Sequence, residues 1–70
     1  MNRVTVALYA DKMINEYPIL KRDIIDYINL AIDEIEDGAS PTHEWELAYN
    51  SIEELVLDHI KNIQDEKSID

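Results

Sequence analysis

The sequence predicts an all-α protein: a small helical bundle in which two long helices form an antiparallel hairpin and a shorter N-terminal helix completes the core, alone or as a homodimer. Three observations carry that prediction. Apolar residues recur at intervals of three and four from Leu20 to Ile63, a spacing that collects them on one face of a helix. Gly38, Ser40 and Pro41 stand together inside that pattern and read as the end of one helix and the start of the next. The only β-favouring stretch, near the N-terminus, has no second strand to pair with elsewhere in the chain.

The first helix is expected over about residues 4–16. Val6, Tyr9, Ala10, Met13 and Tyr17 fall at helical spacing, with Asp11, Asn15 and Glu16 on other faces. Val4, Val6, Leu8 and Ala10 also alternate, and Val-Thr-Val favours a strand, but a lone strand would have no partner. Pro18 closes the segment, because it disfavours the α conformation at Tyr17 and suits the first turn of a following helix.

The second helix is expected over about residues 19–37. Leu20, Ile24, Ile28, Ala31 and Ile35 form one stripe, which Ile25 and Ile32 widen, and Arg22, Asp26, Asn29, Asp33 and Glu36 occupy the opposite face. Its last turn holds Asp33, Glu34, Glu36 and Asp37, although the carbonyl end of a helix favours cations. Gly38, the single glycine, stands where a helix end needs a left-handed residue.

The third helix is expected over about residues 41–64, with Ser40 as N-cap and Pro41 in the first helical position. Trp45, Ala48, Tyr49, Ile52, Leu55, Val56, His59, Ile60 and Ile63 repeat at intervals of three and four. So short a connection holds the second and third helices antiparallel. Residues 65–70 read as a polar tail that frays.

Seventy residues form one domain whose core is modest, since a chain of that size buries roughly 60% of its unfolded surface. There is no Cys, so neither a disulfide nor a thiolate metal site reinforces the fold. Homodimerisation is the expected way to bury more surface. The 46% hydrophobic content is too high for a disordered acidic tail. The longest apolar run, Val6–Ala10, spans five residues against the roughly 20 that cross a bilayer. Without a signal-peptide pattern at the N-terminus, the chain reads as cytoplasmic. A net charge of −10 argues against direct contact with nucleic acid or an anionic membrane, both of which are held by Lys and Arg.

Motifs for chemistry fail on their spacing. His43-Glu44-Trp45-Glu46-Leu47 opens like a zinc-binding His-Glu-x-x-His helix, but Leu47 stands where the second imidazole must be. Asp33, Asp37, Gly38 and Glu44 match positions of a calcium loop, yet Ile35 fills a ligand position and belongs to the apolar stripe. His59 lies on the apolar face of the third helix and reads as a histidine at the core or its edge, where burial would favour the neutral form. Paired carboxylates on facing helices hold Mg²⁺ in helical nucleotide hydrolases. Here Glu53, Glu54 and Asp58, and Asp26 and Asp33, point away from the stripes. No catalytic residue, metal ligand or cofactor is expected.

The span from Asp23 to Ile60 holds eleven Asp or Glu residues and no Lys or Arg. Ordinary solvated helices mix the two signs at i,i+4. Such a surface suits a partner protein with a basic, nucleic-acid-binding face, which this chain would occupy as a DNA mimic, inhibiting or regulating it. The expected contact residues are Asp23, Asp26, Asp33, Glu36, Asp37, Glu46, Glu53, Glu54 and Asp58, with Leu47 and Leu57 as apolar anchors. The alternative is a structural, adaptor or antitoxin-like dimer that binds through its apolar stripes. In composition the chain resembles small accessory proteins of bacteriophages and mobile elements, a likeness that implies a regulator or inhibitor of host machinery.

Overall fold

A computed structural model describes residues 1–68, with side-chain surroundings through residue 64. Three helices follow one another: α1 (Arg3–Glu16), α2 (Lys21–Glu36) and α3 (Pro41–Ser68), with one 3₁₀ turn, Pro18–Leu20, between α1 and α2. There is no strand among the described residues, so the all-α expectation holds and the N-terminal segment is helical.

Asn2 starts α1. Its extended backbone lets the side-chain carbonyl accept a hydrogen bond from the Thr5 N–H at 2.9 Å, satisfying one of the donors a helix start leaves open. Val6, Ala10 and Met13 then bury one face. At the other end the Tyr17 N–H donates to the Met13 carbonyl at 2.8 Å, and the Tyr17 carbonyl accepts from Leu20 at 2.9 Å. That second bond closes the 3₁₀ turn, so the expectation of a second helix from residue 19 is corrected: α2 begins at Lys21. Pro18 is the physical reason, since it has no N–H to donate and holds Tyr17 out of the α region.

Along α2, Ile24 and Ala31 are buried, as is Leu20 just before it. Ile28, Ile32 and Ile35 pack against the core from its edge. Ile25 does not widen this stripe as its spacing predicts, for it is 38% exposed. It sits one residue past Ile24, roughly 100° round the helix, and turns outward beside Pro18 and Ile19.

The end of α2 is a Schellman motif. Gly38 has φ of +105°, its N–H donates to the Ile35 carbonyl at 3.1 Å, and the Ala39 N–H reaches back to Glu34 at 3.0 Å. These bonds satisfy carbonyls that the helix would otherwise leave open. Two residues later the Ser40 carbonyl accepts from Glu44 at 2.9 Å and α3 is under way. Helix α3 continues to Ser68, past the expected end at residue 64, so the chain is helical where the sequence predicts the start of a polar tail. The last two residues of that tail, Ile69 and Asp70, lie outside the described residues.

Helix α3 carries the other two. The Tyr9 and Tyr49 rings lie 4.4 Å apart, centroid to centroid, and Tyr17 meets His59 edge-on at 5.5 Å. Both partners advance together along the chain, so α1 runs in the same direction as α3. Helix α2 runs the other way, with Tyr27 beside Leu55, Ala31 beside Ala48 and Ile35 beside Trp45. Where the helices meet, Val6, Ile24 and Ile52 are fully enclosed, and Trp45, Ala48 and Val56 complete α3's share of the core. Each large aliphatic side chain buried there stabilises the fold by about 1.5–3 kcal/mol. Among the described residues the core contains no polar or charged residue. His59 is half-buried, at the core's edge.

The 28 residues of α3 make a rod of about 42 Å, against roughly 21–24 Å for α1 and α2. This accounts for the long axis of 50 Å over a cross-section of 18 × 18 Å. Residues 61–64 are exposed, beyond the reach of both shorter helices. Among the described residues no helix is long and apolar enough to cross a membrane.

Candidate functional site

The direction of each helix decides which carboxylates share a face. Two hollows lie along the seam between α2 and α3. One is bordered by Tyr27, Leu30, Ala31, Glu34, Glu44, Leu47, Ala48 and Ser51. The next is bordered by Tyr27, Ser51, Glu54, Leu55 and Asp58. Since Tyr27 and Ser51 border both, the hollows form one groove. Three of the expected contact residues, Leu47, Glu54 and Asp58, are on it. Asp23 stands four residues before Tyr27 and seven before Leu30, which aligns it with the same side of α2.

Tyr27, Leu30, Glu34, Glu44 and Ser51 also border the groove and are not among the expected contact residues. Their signal in the sequence is spacing. Tyr27, Leu30 and Glu34 are i, i+3 and i+7 on α2, while Glu44, Leu47 and Ser51 repeat the same steps on α3. Neither series reveals a shared groove until the two helices are set antiparallel.

The remaining expected residues are on other sides. Glu53 faces α1, where its charge acts on Tyr9; burial first, then Tyr49 and the Glu53 carboxylate, raise the Tyr9 hydroxyl above its ordinary pKa. Glu46 and Leu57, seven residues before and four after Glu53, share that side of α3. Leu57 is 59% exposed. Glu36 lies across a separate hollow from Arg3, over Ile32, Ile35, Pro41 and Trp45. Asp26 borders a patch with Lys21 and Arg22, where α2 carries its own two cations. Asp33 and Asp37 are exposed at the end of α2, away from the groove, one turn apart. The nine expected carboxylates therefore divide among several sides of the bundle.

Electrostatics concentrates negative charge at the C-terminal end of α2. The last turn of α2 has no basic residue, so Asp33, Glu34, Glu36 and Asp37 add to the negative end of the helix dipole. Each such charge costs a few tenths of a kcal/mol. Asp23 and Glu44, in the first turns of α2 and α3, sit where the dipole favours them. Among the described residues no three His, Asp or Glu side chains converge as metal ligands would. Gly38's left-handed backbone is used by the helix end, and Asp33 lies within α2. The groove offers carboxylates around apolar side chains, an arrangement that recognises cationic groups attached to an apolar surface.

Comparison with protein-family models, with curated proteins and with solved structures finds no match in any of the three.

Proposed function

We propose that this chain is a cytoplasmic protein-binding module, a bundle of three helices whose α2–α3 surface occupies the basic, nucleic-acid-binding face of a partner protein and so inhibits or regulates it. One observation carries this reading: eleven carboxylates fall between Asp23 and Ile60 with no Lys or Arg among them. Carboxylates on successive helical turns lie about 5–6 Å apart, a spacing comparable to that of phosphates along a nucleic-acid strand. The field of such a surface speeds and orients encounters with a basic face, and added salt screens it.

The test immobilises the chain, passes a bacterial lysate over it at low salt and elutes with a salt gradient. Captured proteins are then challenged with a labelled DNA or RNA duplex, with and without the free chain. The expected result is salt-eluted nucleic-acid-binding proteins that release the duplex when the chain is added. Binding that is unchanged from low to high salt refutes the reading.

A second reading, a structural or antitoxin-like homodimer, is favoured by α1. Val4 and Leu8 are 65% and 67% exposed on its outer side. Arg3 and Lys12 balance Asp11 and Glu16 along that helix, so two copies can approach there without net charge repulsion. Leu8→Gln turning a dimer into a monomer in sedimentation equilibrium supports this reading. A wild-type chain that is monomeric at every concentration removes it.

A further inference from the structure

The groove between α2 and α3 is more specific than an acidic surface. Its two hollows, about 380 and 350 Å³, run end to end. Leu30 and Leu47 supply the apolar floor of the first and Leu55 that of the second, with Tyr27 between them. Leu30 and Leu47 are 57% and 46% exposed, so their surface is open to an occupant. Glu34 and Glu44 border the turn end and Glu54 and Asp58 the far end, and neither hollow is lined by a Lys or Arg.

We infer that this groove takes a basic amphipathic helix of the partner protein, lying along it with two apolar anchors seven residues apart and Lys or Arg beside each anchor. The inference rests on the reading of α2–α3 as the partner-binding surface and adds the partner's shape. Glu44, Ser51 and Asp58 mark the two ends and the middle of the groove in seven-residue steps, about 10 Å each at 1.5 Å per residue. The hollows are therefore centred about 10 Å apart. In a helix laid alongside, residues i and i+7 are separated by that rise and share a face. An extended strand covers the same distance in about three residues, which puts the two side chains on opposite faces. Charge selects the occupant's sign: four carboxylates at the ends of the groove attract cations, and a second copy would bring its own four against them. Helix-in-groove docking with anchors of this spacing is an established mode of recognition.

The probe is a labelled Ala/Lys peptide of about fifteen residues, near the length at which an isolated helix becomes marginal, with Leu at positions i and i+7. Its control has the same composition with the second Leu moved to i+5, on the opposite face. Binding is read by fluorescence anisotropy at about 0.05 and 0.5 M NaCl, where screening differs strongly. The i,i+7 peptide is expected to bind at least about tenfold more tightly than its control, the scale of losing one well-placed apolar anchor. The double variant Leu30→Gln with Leu47→Gln is expected to abolish that preference, both peptides then binding with similar, weaker affinity, while the circular dichroism spectrum stays unchanged. If both peptides bind equally and the double variant binds as wild type does, the groove is not the site and the acidic-surface reading survives alone. If neither peptide binds even at low salt, both readings fall. If the wild type is a dimer that the double variant converts to a monomer, a second copy occupies the groove and the inference is overturned.

Discussion

Gly38 offers a test of the turn that sets α2 against α3, because its two mirror-image substitutions should act in opposite directions. A Cβ built at Gly38 meets nothing within 4 Å, so a methyl group there costs no collision. What remains is the backbone: at φ of +105° an L side chain is strained, at about 1–2 kcal/mol. Gly38→Ala should therefore destabilise the protein by that amount. A D-alanine at the same position accepts positive φ, keeps the open space and narrows the unfolded ensemble, so it should stabilise by about 0.4–1 kcal/mol. A chain of 70 residues is within reach of chemical synthesis. Urea unfolding followed by circular dichroism reads both variants, and with a slope near 1 kcal/mol per molar the midpoints should move by about 1–2 M downward and about 0.4–1 M upward. Two variants that shift in the same direction would refute the assignment of the penalty to backbone handedness. An unchanged midpoint for Gly38→Ala would refute the positive φ itself.

Other perturbations act on separate parts of the molecule. Trp45→Ala removes a side chain only 7% exposed and should cost about 3–5 kcal/mol, enough to unfold so small a domain; a cooperative melt near the wild-type temperature contradicts its place in the core. Asn2→Ala removes the bond to the Thr5 N–H and should cost about 1 kcal/mol, with Asn2→Asp retaining most of the stability in the same denaturation assay. The raised pKa of Tyr9 means that the folded state favours the neutral phenol. Its stabilising contribution is therefore complete below the unfolded value of about 10 and lost as pH rises through the folded value. Tyr9→Phe should flatten that alkaline decline, and an identical decline in wild type and variant would exclude Tyr9 as its source.

Much of the fold is legible from local chemistry. Gly38, Ser40 and Pro41 mark the turn because each residue type suits one backbone position, whatever the rest of the chain does. The periodicity of Trp45, Ala48, Ile52 and Val56 identifies α3's buried face for the same reason. The 3₁₀ turn at Pro18–Leu20 is less legible, since Pro18 predicts a break but not which turn follows it. Asn2 carries a cap signal, Asn-x-x-Thr, that apolar periodicity does not weigh. Harder still is the groove. Leu30 lies outside the apolar stripe of α2, and only the antiparallel register places Leu30 and Glu34 opposite Leu47 and Glu44. Periodicity assigns a residue to a face of its own helix, whereas a groove is a relation between faces of two helices.

The balance of charge along α1 has a consequence for motion through solution. With Arg3 and Lys12 offsetting Asp11 and Glu16, and the carboxylate excess carried by α2 and α3, the centre of charge is displaced from the centre of mass across an 18 Å width. Such a molecule is an electric dipole as well as a net anion. Near a cationic surface, within the roughly 8–10 Å over which fields persist at physiological salt, it experiences a torque that turns α1 away and α2–α3 forward. Orientation is then selected before contact, and fewer collisions are wasted on the wrong side of the molecule.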